Sequence, residues 1–416
     1  MATRTIADGG GNYNSSGTWV EGAVPTSADD VVATATSGAL TVTAAAAAKT
    51  LILTGYTNTF TINSGFTLTV SGDVTLASGM TYAGDGTLAV AATATLTANS
   101  ITVSGGLSLN NGVFTITLAD NWVVTGLFNV VAGSSTVTFN GSQITCNGSV
   151  TIAARLTGTT AILLAGTGTW TGSLTYGRYC SNPITIDTPG TITLATTGPF
   201  FGNNTVTYTA GTIVSTGSTV SMHTSVTLAG SWPELNSSLT VWAEGTLTVQ
   251  ANLTLNGTVR VLNAISLTLA GAYNYTFGTL QLDGSNTFKL PDDQTLTIAT
   301  AVIAIGLTVI TIRSTTASSG STLVYNGTQA NMKIAGCAFT DITATNQLWN
   351  HWGGTLTRTS GITNTSYTPG DYSDPGEAQV ASGTSYLYEG ATKNGTYAGG
   401  GGGLLTHPGM AGGMRG

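Results

Sequence analysis

Residues with catalytic or ligand-binding chemistry are few in this chain of 416 residues, of which only 7% are charged. The segment SWPELNSSLTVWAEG groups several of them, because Glu234 and Glu244 accompany Trp232 and Trp242 there. Tryptophan rings stack on sugar rings, and carboxylates accept hydrogen bonds from hydroxyl groups. The segment is therefore a candidate for glycan stacking. The alternative, which the sequence favours, is two tryptophans that pack at a bend beside solvated glutamates.

The other carboxylates do not predict a catalytic pair. Two pairs are adjacent in sequence, Asp29 with Asp30 and Asp292 with Asp293, but neighbouring residues of an extended strand point to opposite faces. Enzymes that cleave polysaccharides need two carboxyl groups that flank one glycosidic bond. We therefore expect no enzymatic activity and no catalytic residues. The alternative is a polysaccharide lyase or hydrolase whose carboxylates come together from different turns of the fold.

Histidine and cysteine residues are also too scattered to predict a site. His223, His351 and His407 lack the spacing of metal ligands, and the sequence therefore predicts no metal site and no cofactor. The three cysteines form no CxxC pair and no disulfide framework. We expect buried free thiols at positions Cys146, Cys180 and Cys337.

Charge and hydropathy limit the classes of partner. The formal net charge is −7 and no basic stripe occurs, so nucleic acid is not an expected partner. The apolar run LTIATAVIAIGLTVITI (296–312) is shorter than the ~20 residues of a spanning helix and is rich in Ile and Val. It predicts buried strands and no membrane insertion. The opening residues have no apolar segment of the signal-peptide type, which predicts synthesis in the cytoplasm of the cell that makes the protein.

Short segments in which apolar residues alternate with Thr or Ser recur from about residue 40 onward. Examples are FTLTV (66–70), TLAV (87–90) and GTLTV (245–249). A period of two places the apolar side chains on one face of a strand and the hydroxyl groups on the other. Glycine, often after Asn, Ser or Asp, separates the segments and supplies tight bends. The pattern predicts an all-β protein.

Strands this short and closely spaced favour a parallel β-helix, also called a β-solenoid. With ~20–25 residues in each turn the repetitive part makes ~15 turns. The sequence does not fix the register of the turns. The alternative fold is a series of tandem β-sandwiches.

Composition divides the chain into three parts. Residues 1–36 predict an N-terminal cap in which Trp19 closes the first turn, because an open solenoid end would pair with another edge. Residues 37–368 predict the solenoid body, with Trp349 and Trp352 as a second end cap. Residues 369–416 are rich in turns and glycine and predict an extended C-terminal arm.

Both ends of the chain resemble structural proteins of bacteriophages and prophages. The segments that carry the resemblance are GGGNYNSSGTWVEGAVPTSADDVVAT (9–34), CAFTDITA (337–344) and DPGEAQVASGTSYLYEGATKNGTYAGG (374–400). The resemblance implies a virion surface or fibre protein, made in the host cytoplasm and often a homotrimer. It carries over no catalytic residues.

The expected function is that of a non-enzymatic virion structural protein, a surface decoration or head fibre attached to the capsid. The alternative is a tail fibre or tailspike that binds or degrades a host surface polysaccharide. Expected partners are other virion proteins of the capsid or tail, further copies of this chain, and a host glycan. Exposed apolar residues of the arm are expected to anchor it: Tyr386, Leu387, Tyr388, Leu404, Leu405, Met410 and Met414.

Overall fold

The computed structural model describes residues 2–110, 112–131, 136–345, 349–351, 356–357, 359–360, 362–364, 385–388 and 391–394. These residues are almost all strands and bends, with two short 3₁₀ helices at Ser16–Thr18 and Gln329–Asn331. The strands pair in parallel and form a β-solenoid of about 14 turns. The predicted fold class is confirmed, and parallel pairing excludes tandem β-sandwiches, whose sheets are antiparallel. The chain divides into two units, Met1–Val220 and Ser221–Gly416.

Each turn of the N-terminal unit contributes strands to three faces. The first face contains Thr3–Thr5, Asp30–Val32, Thr50–Ile52, Val74–Thr75, Ala94–Thr97, Phe114–Leu118, Thr136–Gly141, Arg155–Thr157 and Thr197–Phe201. The second contains Gly11–Asn12, Leu40–Val42, Thr59–Ile62, Thr81–Ala83, Thr102–Val103, Trp122–Val124, Ile144–Cys146 and Ile162–Leu164. The third contains Ala46–Ala48, Thr67–Val70, Thr87–Val90, Gly106–Leu109, Phe128–Val130, Val150–Ile152 and Gly168–Thr171. Two longer strands, Ile184–Leu194 and Asn204–Val214, continue both the second and the third face.

The C-terminal unit is built in the same way, with longer strands that continue around a corner. Its strands are Val226–Ala229, Ser238–Val241, Gly245–Val249, Leu253–Val261, Ser266–Ala270, Tyr275–Asp283, Thr287–Leu290, Thr295–Ser314, Ser321–Tyr325, Met332–Thr340, Ile342–Thr345, Trp349–His351, Leu356–Thr357 and Ile362–Asn364. The strand Thr219–Met222 contains the boundary between the units. Ser385–Tyr388 and Ala391–Asn394 form an antiparallel hairpin.

The alternating sequence separates an apolar interior from a hydroxyl-rich exterior. Leu68, Leu88, Leu107, Phe128 and Val150 lie opposite one another in consecutive turns and are all buried. Burial of each such side chain stabilises the fold by about 1.5–3 kcal/mol. Threonines occupy many of the alternate positions and face outward, where their hydroxyl groups stay in contact with water.

The apolar run 296–312 forms part of one long strand, Thr295–Ser314, which confirms the prediction of strands. The strand pairs in parallel with Tyr275–Asp283 on one side and with Met332–Thr340 on the other. The buried residues of this strand, which fill the interior of the C-terminal unit, include Leu296, Ile298, Val302, Ala304, Ile310 and Ile312. No helix in the described part of the chain is long and apolar enough to cross a membrane.

Five glycines, which we call the glycine column, stack at the corner that leads into the third face of the N-terminal unit. They are Gly86, Gly105, Gly126, Gly148 and Gly168. A Cβ atom on Gly105 would lie 2.0 Å from the carbonyl oxygen of Gly86, and one on Gly148 would lie 2.3 Å from that of Gly126. Consecutive turns thus approach at this corner more closely than any side chain allows, and the column fixes the register of the turns.

The predicted end caps are described only in part. Parallel pairing begins at Thr3–Thr5, within the range 1–36. Trp19 is buried, its ring centroid lies 5.0 Å from that of Tyr13 in an edge-to-face arrangement, and its Nε1 donates a hydrogen bond to the Tyr13 carbonyl at 2.9 Å. Only the backbone of Trp349 is described, Trp352 lies outside the described residues, and so does the range 365–384 around the predicted arm boundary. The capping roles and part boundaries stay predictions.

We predict that Gly126→Ala destabilises the protein by about 1–3 kcal/mol, the usual cost of overpacking. The added Cβ would lie 2.6 Å from the carbonyl carbon of Gly105. Denaturant unfolding followed by circular dichroism measures the effect. Gly79→Ala is the matched control, because its Cβ would meet nothing closer than a Thr57 methyl group at 3.6 Å. Equal midpoints for the two variants would contradict a steric role of the column.

Candidate functional site

The tryptophans of the predicted glycan segment are each held by the nearby backbone or side chains. Both rings are half-buried, whereas Glu234 and Glu244 are exposed. Nε1 of Trp232 donates a hydrogen bond to the Ala229 carbonyl at 3.0 Å, and Nε1 of Trp242 donates one to Oγ of Ser221 at 3.2 Å. Packing at a bend therefore accounts for both indole groups.

These two tryptophans also lie at different corners of the C-terminal unit. Trp232 follows the strand Val226–Ala229, and Trp242 precedes the strand Gly245–Val249. The two strands pair on one face, so the rings lie at opposite edges of that face. A strand of four residues is about 13 Å long, and a single sugar ring cannot bridge this distance. The glycan role of this segment stays a prediction.

The adjacent aspartates Asp29 and Asp30 have separate structural partners. The carboxylate of Asp29 accepts hydrogen bonds from the Ala2 amide at 2.9 Å and the Thr26 amide at 3.1 Å, and these bonds lower its pKa. Its neighbour Asp30 lies 3.6 Å from Nζ of Lys49 and accepts a hydrogen bond from the Thr50 hydroxyl. The two carboxylates thus have different partners and do not form a catalytic dyad.

Asp292 is a second carboxylate with a structural task. It accepts hydrogen bonds from the Ser314 hydroxyl, from the Thr315 hydroxyl at 2.8 Å and from the Thr316 amide at 2.9 Å. Partial burial raises the pKa of Asp292, but these hydrogen bonds lower it by more, and the pKa lies well below its ordinary value. The carboxylate therefore ties one turn to the next, about 22 residues along the chain.

The same arrangement recurs at other corners. Asp73 accepts a hydrogen bond from the Thr95 amide at 2.7 Å, and Asp120 accepts two from the Ala98 and Asn99 amides at 2.7 and 2.6 Å. Asparagine and serine side chains act alike, as where Asn140 accepts from the Thr159 amide at 3.2 Å. Carboxylates in these positions are caps for backbone amides that the parallel ladder leaves free.

The described residues contain no group of three or more His, Cys, Asp or Glu that could hold a metal ion. Cys146, Cys180 and Cys337 are buried thiols, as predicted. Burial raises the pKa of all three thiols, that of Cys180 to about 12. They are small apolar core residues rather than nucleophiles.

A surface that the sequence did not predict lies around residues 172–179, between the strands Gly168–Thr171 and Ile184–Leu194. These residues leave the solenoid as a loop whose tip exposes 59% of Tyr176 and 40% of Leu174. Arg155, on the first face, holds its guanidinium 5.0 Å from the ring centroid of Tyr179 in a cation–π contact. We call Arg155, Tyr176, Arg178 and Tyr179 the arginine–tyrosine surface.

Local hydrogen bonds fix the loop that carries Tyr176. The Arg178 amide donates to the Thr175 carbonyl at 3.2 Å and closes a tight turn, in which Gly177 has a φ of +83°. Glycine suits that position because side chains rarely adopt a positive φ there. The Thr175 amide donates to Oγ of Ser173 at 3.1 Å. The tyrosine at the tip is thus presented by an ordered turn.

The base of the loop is tied to the solenoid. Cys180 forms parallel bridges with Leu156 and Phe201. The buried amide of Asn182 donates to the carbonyls of Thr160 and Phe139, both at 3.0 Å. Because residues 180 and 182 are held by neighbouring turns, the position of Tyr179 relative to Arg155 is set by the stacking itself.

The sequence did contain one signal for this surface. From position 121 to position 186 the only charged residues are Arg155 and Arg178. Two tyrosines flank Arg178 in TYGRYC (175–180), within a chain that has an excess of acidic residues. The contact between Arg155 and Tyr179 depends on the register of the turns, which the sequence alone does not fix.

No protein-family model matches this chain, and neither a curated protein sequence nor a solved structure matches it.

Tyr386, Leu387 and Tyr388 lie in one strand of the C-terminal hairpin, and their side chains are outside the described part. The other predicted anchoring residues, at positions 404, 405, 410 and 414, lie outside the described residues as well. Their role stays a prediction.

We predict that Asp292→Asn destabilises the protein at pH 7 and that the loss shrinks in acid. The pKa of Asp292 is lower in the folded chain than its unfolded value of about 3.9, so its ionised form stabilises the fold above about pH 4. This contribution disappears as the pH falls towards the folded-state pKa. Melting temperatures of wild type and variant at pH 7, 4 and 2.5 measure the difference.

Asp293→Asn is the matched control for this prediction, because Asp293 is the exposed neighbour. It should leave the melting temperature unchanged at each pH. A difference between wild type and Asp292→Asn that stays constant from pH 7 to pH 2.5 would show that the carboxylate charge is not involved.

We predict that none of the three cysteines reacts with a thiol reagent such as 5,5′-dithiobis(2-nitrobenzoate) in the native protein, since all three are buried. All three should react after unfolding in guanidinium, which provides the internal control. Rapid reaction of any thiol without denaturant would contradict the placement of that cysteine in the core.

Proposed function

We propose that the protein is a non-enzymatic structural protein of a bacteriophage virion, displayed on the particle surface as a decoration or head fibre attached to the capsid. A non-enzymatic role is supported by the hydrogen bonds that the carboxylates make. Those of Asp29, Asp73, Asp120 and Asp292 accept hydrogen bonds from backbone amides. Acidic groups committed in this way support the stacking of turns rather than proton transfer.

The virion part of the proposal is supported by the resemblance of both chain ends to phage structural proteins. A scaffold role also suits the surface chemistry, because rows of outward threonines provide hydration with little charge. Thr115, Thr138 and Thr157 form one such row in the first face. In this proposal the protein assembles in the host cytoplasm as a homo-oligomer and meets its capsid or tail partners there.

Attachment to the particle is assigned in this proposal to residues 369–416. The expected contacts are the apolar side chains of Tyr386, Leu387 and Tyr388 together with those further along the arm. A hairpin of two short strands, Ser385–Tyr388 and Ala391–Asn394, offers a local structure on which such contacts can form. Two-stranded hairpins are marginally stable alone, and a binding partner would stabilise this one.

We predict that deletion of residues 369–416 leaves a folded, soluble protein that no longer joins the particle. Quantitative mass spectrometry of purified virions measures incorporation, and far-UV circular dichroism checks the fold of the truncated protein. Normal incorporation of a folded truncated protein would refute the anchoring role of the arm. Absence of the full-length protein from purified virions would refute the proposed function itself.

A tail fibre that binds a host polysaccharide is the second candidate function, and the arginine–tyrosine surface favours it. The number of copies in each virion distinguishes a capsid protein from a tail protein, because a capsid decoration is present in many more copies than a tail fibre.

Degradation of a host polysaccharide by a tailspike is a variant of this second candidate function. We expect purified protein to leave host capsule or lipopolysaccharide at its original length, as judged by size-exclusion chromatography.

A further inference from the structure

We propose that the arginine–tyrosine surface is a binding site for an acidic polysaccharide, specifically one whose sugar residues carry carboxylate groups. The inference rests on the second candidate function, contact with a host glycan, and not on attachment to the virion. The site comprises Arg155, Tyr176, Arg178 and Tyr179 and lies wholly within the N-terminal unit.

The arginines provide the charge complementarity. Neither Arg155 nor Arg178 forms an ion pair with a carboxylate of the described residues. By contrast, Arg4, Lys49 and Arg260 all have aspartate partners. No acidic residue occurs from position 121 to position 186, so the two guanidinium groups carry an unbalanced positive charge over this segment of a protein whose net charge is −7.

The geometry of Arg155 suits a carboxylate. Its guanidinium carbon lies over the ring of Tyr179 at 5.0 Å from the centroid, so the cation–π contact limits where the planar group can lie. A planar guanidinium donates two parallel hydrogen bonds to a carboxylate. Because the stacking contact already limits the conformations of the side chain, binding costs less conformational entropy than it would for a free arginine.

Tyr179 is itself held in place by its surroundings. Its ring contacts that of Phe200 edge to face, with centroids 6.2 Å apart. Its ring also lies over Gly202, where a Cβ atom would be 2.4 Å from Cδ2 of Tyr179. The ring therefore lies directly on the backbone at Gly202, and Arg155 contacts a tyrosine that is itself packed against its neighbours.

The remaining features suit a sugar. Tyr176, 59% exposed at the tip of an ordered turn, offers an apolar ring face for stacking. Thr136 pairs with Arg155 in the neighbouring turn, and Thr175 precedes Tyr176. Their hydroxyl groups can exchange hydrogen bonds with sugar hydroxyls. Nucleic acid is a poorer fit, because it needs a continuous basic track to neutralise its phosphates.

The test measures binding of the purified full-length protein to polygalacturonate, alginate and hyaluronate, with neutral dextran as the comparison. Biolayer interferometry on immobilised polymer gives the affinities. Binding to at least one of the three polyuronates should exceed binding to dextran. It should weaken as NaCl rises from about 50 to about 500 mM, because salt screens exposed charges.

The variant Arg155→Gln/Arg178→Gln should lose affinity by about tenfold or more, since hydrogen bonds between charged groups are lost. Tyr176→Ser, at an exposed loop tip, should lose affinity without any effect on folding. Lys289→Gln/Arg313→Gln is the matched control with the same change in charge. These two residues lie opposite each other on neighbouring strands of the C-terminal unit, and their replacement should leave the affinity unchanged.

Three results would overturn the proposal. One is equal binding of dextran and all three polyuronates, and another is wild-type affinity in both Arg155→Gln/Arg178→Gln and Tyr176→Ser. The third is loss of virion incorporation by Arg155→Gln/Arg178→Gln while wild type binds no polyuronate, which would assign the surface to a protein partner. The binding experiment uses purified protein without virions. A lack of polyuronate binding would therefore not contradict the proposed structural role, and absence of the protein from virions would not contradict the proposed binding site.

Discussion

The structure depends on one constraint, which is that each turn must present its backbone amides and carbonyls in register to the turns on either side. Along the faces, hydrogen bonds between parallel strands pair these amides and carbonyls. At the corners the backbone leaves the strand conformation, and other groups are needed. The glycine column meets it where two backbones approach too closely for a side chain. Aspartate and asparagine side chains meet it where an amide points away from the ladder, as Asp120 does for Ala98 and Asn99. Several of the few carboxylates in this chain are therefore used to complete the stack.

The fold class followed from the sequence because alternation of Thr with Val, Leu and Ile determines both strand and orientation. The run AAAAAK shows the limit of residue propensity, since alanine is the best helix former. Residues Ala46–Ala48 are nevertheless a strand, paired in register with Thr67–Val70. Hydrogen bonding to the strand of the next turn therefore outweighs the helix propensity of alanine.

The register of the turns was not predicted, although the sequence contains a signal for it. A polar residue and glycine precede each of several strands, as in DGTLAV, SGGLSL, TGLFNV, NGSVTI and TGTWTG. These glycines are the glycine column. In the sequence these glycines indicate only bends, because a close approach between two backbones cannot be recognised from one segment alone. The arginine–tyrosine surface was missed for the same reason, since Arg155 and Tyr179 become neighbours only when turns are aligned.

Pairing between adjacent turns also has a consequence for how such a body can change in length. In the N-terminal unit each interior strand of the first face contacts the strand before it and the strand after it. The joining groups, an outward hydroxyl, an inward aliphatic and a corner glycine, are nearly the same at each level. A single turn of about 22 residues therefore meets its neighbours through the same kinds of contact as the other turns do, and duplication or loss of one turn would create only one new junction. Unequal recombination within a gene of this kind would yield longer and shorter folded proteins with the same two ends.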